Sequence, residues 1–209
     1  CALLTHIGAA ASSYLEMAER IEEATGGISF RPIILESPSA LDAPRLGIQV
    51  KGKALARNFE RMFGILSDIF TAPDFSDLDR LRTVINQIKS SLENSVPASG
   101  HTYAARRGAS TLTYGGKIRE LWNGIEHIRI VRKAAALDDS ALAELAVHFK
   151  TMAQYLLARE GMHASFTAES AHFASAAEGI RSFVCAIPEG STLEISAPST
   201  FTPSGEQTG

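Results

Sequence analysis

The 209 residues are 45% apolar and 21% charged, with a formal net charge of −3. That is enough apolar chain to bury a core in one large domain or two small ones, which sets aside a disordered chain. Lys and Arg are scattered without forming blocks, which argues against a nucleic-acid partner, and no stretch approaches the roughly 18 apolar residues that a membrane span needs.

The chain opens on Cys1 inside an apolar run, residues 1–7, that reads as a buried strand, and it is expected to be a fragment of a longer protein. A processed lipoprotein also begins on Cys, but a polar tether would follow it. Ser13 and Glu16 form a capping box, so a helix is expected from there to Thr25-Gly26-Gly27, where glycine can take the left-handed conformation that ends helices. Residues 28–35 read as a strand, and after a Ser/Pro-rich turn Leu46, Ile48 and Val50 alternate with polar residues as a second strand with one wet face. From Ala54 the period turns helical: Leu55, Phe59, Met62, Phe63, Leu66, Ile69 and Phe70 share a face until Pro73.

Ser76 with Asp79 is expected to cap a helix carrying Leu78, Leu81, Ile85, Ile88 and Leu92. Pro97 suits the first turn of another helix, made of small residues and running to about Leu112. One stripe joins Ile118, Leu121, Trp122, Ile125 and Ile128, and a second runs from Leu142 to Leu157 behind an Asp138 cap. Residues 162–167 read as strand, 170–180 as helix and 182–187 as strand, giving a domain over 1–187 and a linker or disordered tail over 188–209. This order does not alternate as a doubly wound parallel sheet would; it predicts an α+β fold of two layers, an antiparallel sheet with helices on one face.

A metal site needs two or more ligands on one surface. The nearest pattern is Asn123-Gly124-Ile125-Glu126-His127, an inverted zinc motif (His-x-x-Glu-His) with Asn at the first ligand. Glu144 with His148 and Glu169 with His172 lie one turn apart and read as ordinary surface pairs. Ser99 and His101 are two apart and form no nucleophile pair by themselves, and Gly26-Gly27 and Gly115-Gly116 are too short for phosphate loops. The basic stretch Lys51, Lys53, Arg57, Arg61 is interrupted by Glu60 and reads as a solvated face, while Phe59, Phe63 and Phe70 read as core. Cys185 reads as a small buried hydrophobe on a strand, and with no C-x-x-C spacing to Cys1 neither a zinc knuckle nor a disulfide framework is implied. A cytoplasmic or organelle-matrix setting is favoured over secretion.

Several spaced segments resemble one family. Lys51-Gly52-Lys53-Ala54-Leu55-Ala56-Arg57-Asn58, Asp74-Phe75-Ser76-Asp77 leading into Arg80-Leu81-Arg82, and Ser99-Gly100-His101-Thr102-Tyr103-Ala104, together with the Tyr14 to Gly27 region, resemble the presequence-protease branch of the insulinase and pitrilysin zinc metallopeptidases. The likeness covers roughly residues 3–187 and falls on the third of that family's four homologous domains. It implies a clamshell peptidase that encloses unstructured peptides in a chamber. Zinc and the glutamate base lie in its first domain and the substrate-positioning Arg and Tyr in its fourth, so no catalytic residue and no metal ligand is carried onto this chain. It also implies that the helix around Ser99 lies near the chamber, with His101 and Tyr103 as candidate peptide contacts.

The expected function is therefore a non-catalytic segment forming part of a zinc peptidase's substrate chamber, inactive alone, with the parent's other domains and unfolded peptides as partners. The alternative is a standalone inactive homologue that binds peptides or scaffolds a subunit; an independent metallohydrolase using Glu126 and His127 is a third. Cut surfaces are expected to favour self-association.

Overall fold

The computed structural model describes residues 1–37 and 40–190, so most of the expected tail, 191–209, lies outside the described residues. The fold is α+β. Its elements are β1 (Gly8–Ala9), α1 (Tyr14–Ala24), β2 (Ile28–Ser37), β3 (Ala40–Gly52), α2 (Phe59–Thr71), β4 (Pro73–Asp74), α3 (Leu78–Ala109), α4 (Tyr114–Asn123), α5 (Ile125–Ala135), α6 (Asp139–Leu156) and α7 (Phe173–Ala186). Short 3-10 turns at Ala56–Asn58 and Ser170–His172 lead into α2 and α7. Two small sheets pair β1 with β4 and β2 with β3.

The described chain divides into two compact units. One holds Cys1–Pro32, Ile48–Leu81 and the chain from Ala143 onward; the other holds Ile33–Gly47 and Arg82–Leu142.

In the first unit the Ser13–Glu16 capping box forms as expected, the Ser13 N–H donating to the Glu16 carboxylate over 2.7 Å. Helix α1 ends before Gly27, whose φ of +118° lies in the region that favours glycine. Helix α2 starts at Phe59 rather than at Ala54 and buries Met62, Ile65, Leu66, Ile69 and Phe70 at helical spacing, while Leu55 of the expected stripe precedes it and is exposed. Phe70 lies 6.0 Å from Phe30 and meets Phe183 of α7 edge-on at 5.2 Å, so strand, helix and helix share one aromatic cluster. Arg20 of α1 pairs with Asp68 of α2 at 2.7 Å.

Three expected strands are corrected. Residues 1–7 form turns, and only Gly8–Ala9 pair, antiparallel with Pro73–Asp74; Leu4 and Ile7 are buried all the same. An apolar run needs a core but becomes a strand only where another strand offers its N–H and C=O groups. Among the described residues, 162–167 have no strand partner, and Phe166 lies against Phe173 at 4.6 Å. Residues 182–186 continue α7 rather than forming a strand, with Ile187 as its C-cap; Ala176, Phe183 and Ile187 recur at helical spacing, and a short apolar run fits either period. Cys185 is accordingly on a helix and exposed. Beyond α7 the Pro188 carbonyl accepts the Arg159 N–H at 3.1 Å.

In the second unit α3 carries Val84 and Ile85 inside, and α4 and α5 add Ile118 and Ile128. Asp77, one residue after the expected Ser76, caps α3 by accepting the Arg80 N–H at 2.8 Å, and Asp138 caps α6 as expected through the Ala141 N–H. The helices expected on either side of Pro97 run together as α3, which leaves helical geometry at Ser99 (φ −123°, ψ 21°) and ends at Ala109. The stripe from Ile118 to Ile128, expected as one helix, is two, because Gly124 takes an extended conformation (φ −104°, ψ −160°). Arg119 of α4 grips Glu36 of β2 through two hydrogen bonds of 3.1 and 2.6 Å, and this holds the Glu36 carboxyl below its usual range.

Candidate functional site

The segment around Ser99 bears two candidate contacts, and the helix presents them differently. His101 is exposed, whereas Tyr103 is only 7% exposed and its hydroxyl lies 2.7 Å from Ser95 Oγ. Residues two apart on a helix face different directions, so an external chain that meets His101 finds little of the Tyr103 ring.

The zinc-like pattern Asn123 to His127 forms a helix junction. Glu120, 2% exposed, reaches over the break and its Oε1 accepts the N–H groups of Ile125 and Glu126 at 3.0 and 3.4 Å, satisfying two free donors at the start of α5. Arg107 stands 3.9 Å from Glu120 and 3.4 Å from Glu126, and Arg129 pairs with Glu126 as well. The carboxylate that an inverted zinc motif would use as its water-activating base is thus paired with guanidinium groups. Asn123 is engaged through its backbone carbonyl, which accepts from Arg106 at 2.7 Å. Burial disfavours the charged form of His127 and lowers its pKa below the ordinary imidazole value. Among the described residues no three His, Cys, Asp or Glu side chains come together to hold a metal ion, and Glu144, His148, Glu169 and His172 lie exposed. The residues here do not fit the zinc site that the resemblance places elsewhere in its family.

A groove of about 730 Å³ runs along α2 and α7 in the first unit. Phe59, Phe63 and Phe183 line it with Arg57, Glu60 and Glu178. Gly179 lets the helices approach there: a Cβ at that position would stand 2.6 Å from the Phe63 ring. The sequence reading missed this groove because it placed residues 182–187 in a strand and assigned Phe59 and Phe63 wholly to the core. Both are half-buried, and of that aromatic stripe Phe70 alone is buried. The small residues Ser175, Gly179, Ser182 and Ala186, recurring every three or four positions, were the available signal. Of the basic stretch, Arg61 pairs with Glu23 at 3.0 Å and Arg57 reaches the groove.

Comparison with known proteins agrees with the resemblance. The chain is 30% identical over 187 residues to the mitochondrial presequence protease of Xenopus laevis, covering 90% of this chain and 18% of that protein. It is 29% identical over 184 residues to the mitochondrial presequence protease of Mus musculus, covering 88% and 18%. It is 24% identical over 189 residues to presequence protease 1, chloroplastic/mitochondrial, of Arabidopsis thaliana, covering 90% and 17%. The chain therefore spans under a fifth of the length of these relatives. The family described as peptidase M-sixteen-C associated matches residues 1–133, more than half of the chain, and the chain belongs to that family.

Proposed function

We propose that this chain is a non-catalytic segment of a presequence-protease-like peptidase, where it forms part of the wall of the chamber that holds unstructured peptides. One observation carries this reading: a likeness over 90% of the chain to a stretch that makes up 18% of a presequence protease. In this reading zinc and the water-activating base come from another part of the parent, whose other domains are this segment's partners. His101, exposed beside the bend of α3, contacts the peptide; Tyr103 supports it from within.

The test is to replace the matching stretch of the Xenopus laevis protein with this chain and to assay cleavage of unstructured peptides, beside the purified chain alone. The chimera is expected to cleave in a chelator-sensitive way and the lone chain not at all. His101→Ala in the chimera is expected to raise KM by about threefold with kcat little changed, as loss of a binding contact does. Chelator-sensitive cleavage by the lone chain would overturn the reading.

A further inference from the structure

We infer that Tyr103 is a positioning residue: its hydroxyl holds the bend of α3, and the bend in turn holds the α4–α5 junction. Helix α3 loses one internal hydrogen bond at Pro97, which has no N–H to give the Glu93 carbonyl, and leaves helical geometry at Ser99. Ser95 Oγ donates to the Leu92 carbonyl at 2.7 Å and lies 2.7 Å from Tyr103 Oη. The single Ser95 hydroxyl proton is committed to Leu92, so Tyr103 is the donor to Ser95. In a straight helix residues eight apart are separated by about 12 Å along the axis, too far for these two hydroxyls to meet. The bond therefore exists only in the bent helix, and breaking it loosens the bend that Pro97 introduces.

What the bend positions is the next turn. Arg106 stacks its guanidinium 5.9 Å from the centre of the Tyr103 ring and donates to the Asn123 carbonyl that ends α4. Arg107 follows at once and faces the Glu120 and Glu126 carboxylates, sharing Glu126 with Arg129. Glu120 is nearly fully buried and its Oε2 has no partner among the described residues, so the carboxylate depends on Oε1 and Arg107 for compensation. Shifting Arg106 and Arg107 removes that compensation and frees the first turn of α5. This inference is independent of the proposed peptidase role and can fail or stand without it.

Hydrogen exchange on the full 209-residue chain tests it, with Tyr103→Phe, Ser95→Ala and the double variant. Each single variant is expected to speed exchange about fivefold at two places, the backbone amides of residues 100–105 and those of 125–127, as loss of one hydrogen bond that holds both should. At these two places the double variant should match Ser95→Ala, which removes the same bond between the hydroxyls together with the Leu92 bond one turn upstream. Coupling is reciprocal, so Arg106→Ala should speed exchange at 100–105 in the same way. Unchanged exchange at 125–127 in both single variants, or effects that add in the double, would overturn the inference.

Discussion

Gly124 shows how much one missing methyl group decides. Its backbone is extended, a conformation open to any residue, so freedom of φ does not explain the glycine. Space does: an added Cβ would stand 1.8 Å from Glu120 Oε2 and 2.7 Å from the Glu120 carbonyl. Gly124→Ala is expected to push the carboxylate off the start of α5 and destabilise the chain by about 1–3 kcal/mol, as overpacking does, measured as a lower urea midpoint. His127, three residues on, carries a pH dependence. Its folded-state pKa is lowered by burial, so between that value and the unfolded one the unfolded chain binds more protons. Stability therefore falls as the pH drops below neutrality. The loss between about pH 7.5 and about pH 5.5 should be smaller in His127→Gln, read from urea midpoints at the two pH values. An equal loss in both proteins would show that the imidazole does not carry it.

At the scale of elements, caps and periods were readable and partners were not. The Ser13 capping box and the Asp138 cap stand where the sequence reading put them, as do Met62, Leu66, Ile69 and Phe70 on the buried face of α2, because each involves residues no more than a few positions apart. The three misplaced strands all depended on a distant partner. Residues 182–186 went to α7 because α2 offers a helical face with Gly64 and Ser67 beside its phenylalanines, and because Gly179 allows close approach. Gly179→Ala is expected to wedge the two helices through Phe63 and cost about 1–3 kcal/mol, checked by thermal unfolding. Near-neutrality would mean that the Phe63 ring swings into the groove at little cost.

For the whole molecule, few residues of the candidate site were legible in advance. The sequence named His101 and Tyr103 together, yet one is exposed and the other closed inside with Ser95. It also singled out Asn123 to His127 for a motif lacking one ligand, without revealing that Glu120, three residues upstream, organises that stretch. Glu120 has no motif of its own; its role arises because Gly124 turns the chain back over it. Among the described residues no helix is long and apolar enough to cross a membrane, and the relatives named above are mitochondrial or chloroplastic by name.

The sequence by itself determined the family, the mixed α+β class and the helix starts at the Ser13 and Asp138 caps, since order of motifs, caps and helical periods are local properties of the chain. Tertiary structure decided the rest: which apolar runs find a strand partner, where one stripe breaks into two helices, and which of two neighbouring residues is buried. The physical reason is the same in each case. A hydrogen bond or an apolar contact between residues far apart in the chain is chosen by what else lies within reach, and that is settled only when the core closes.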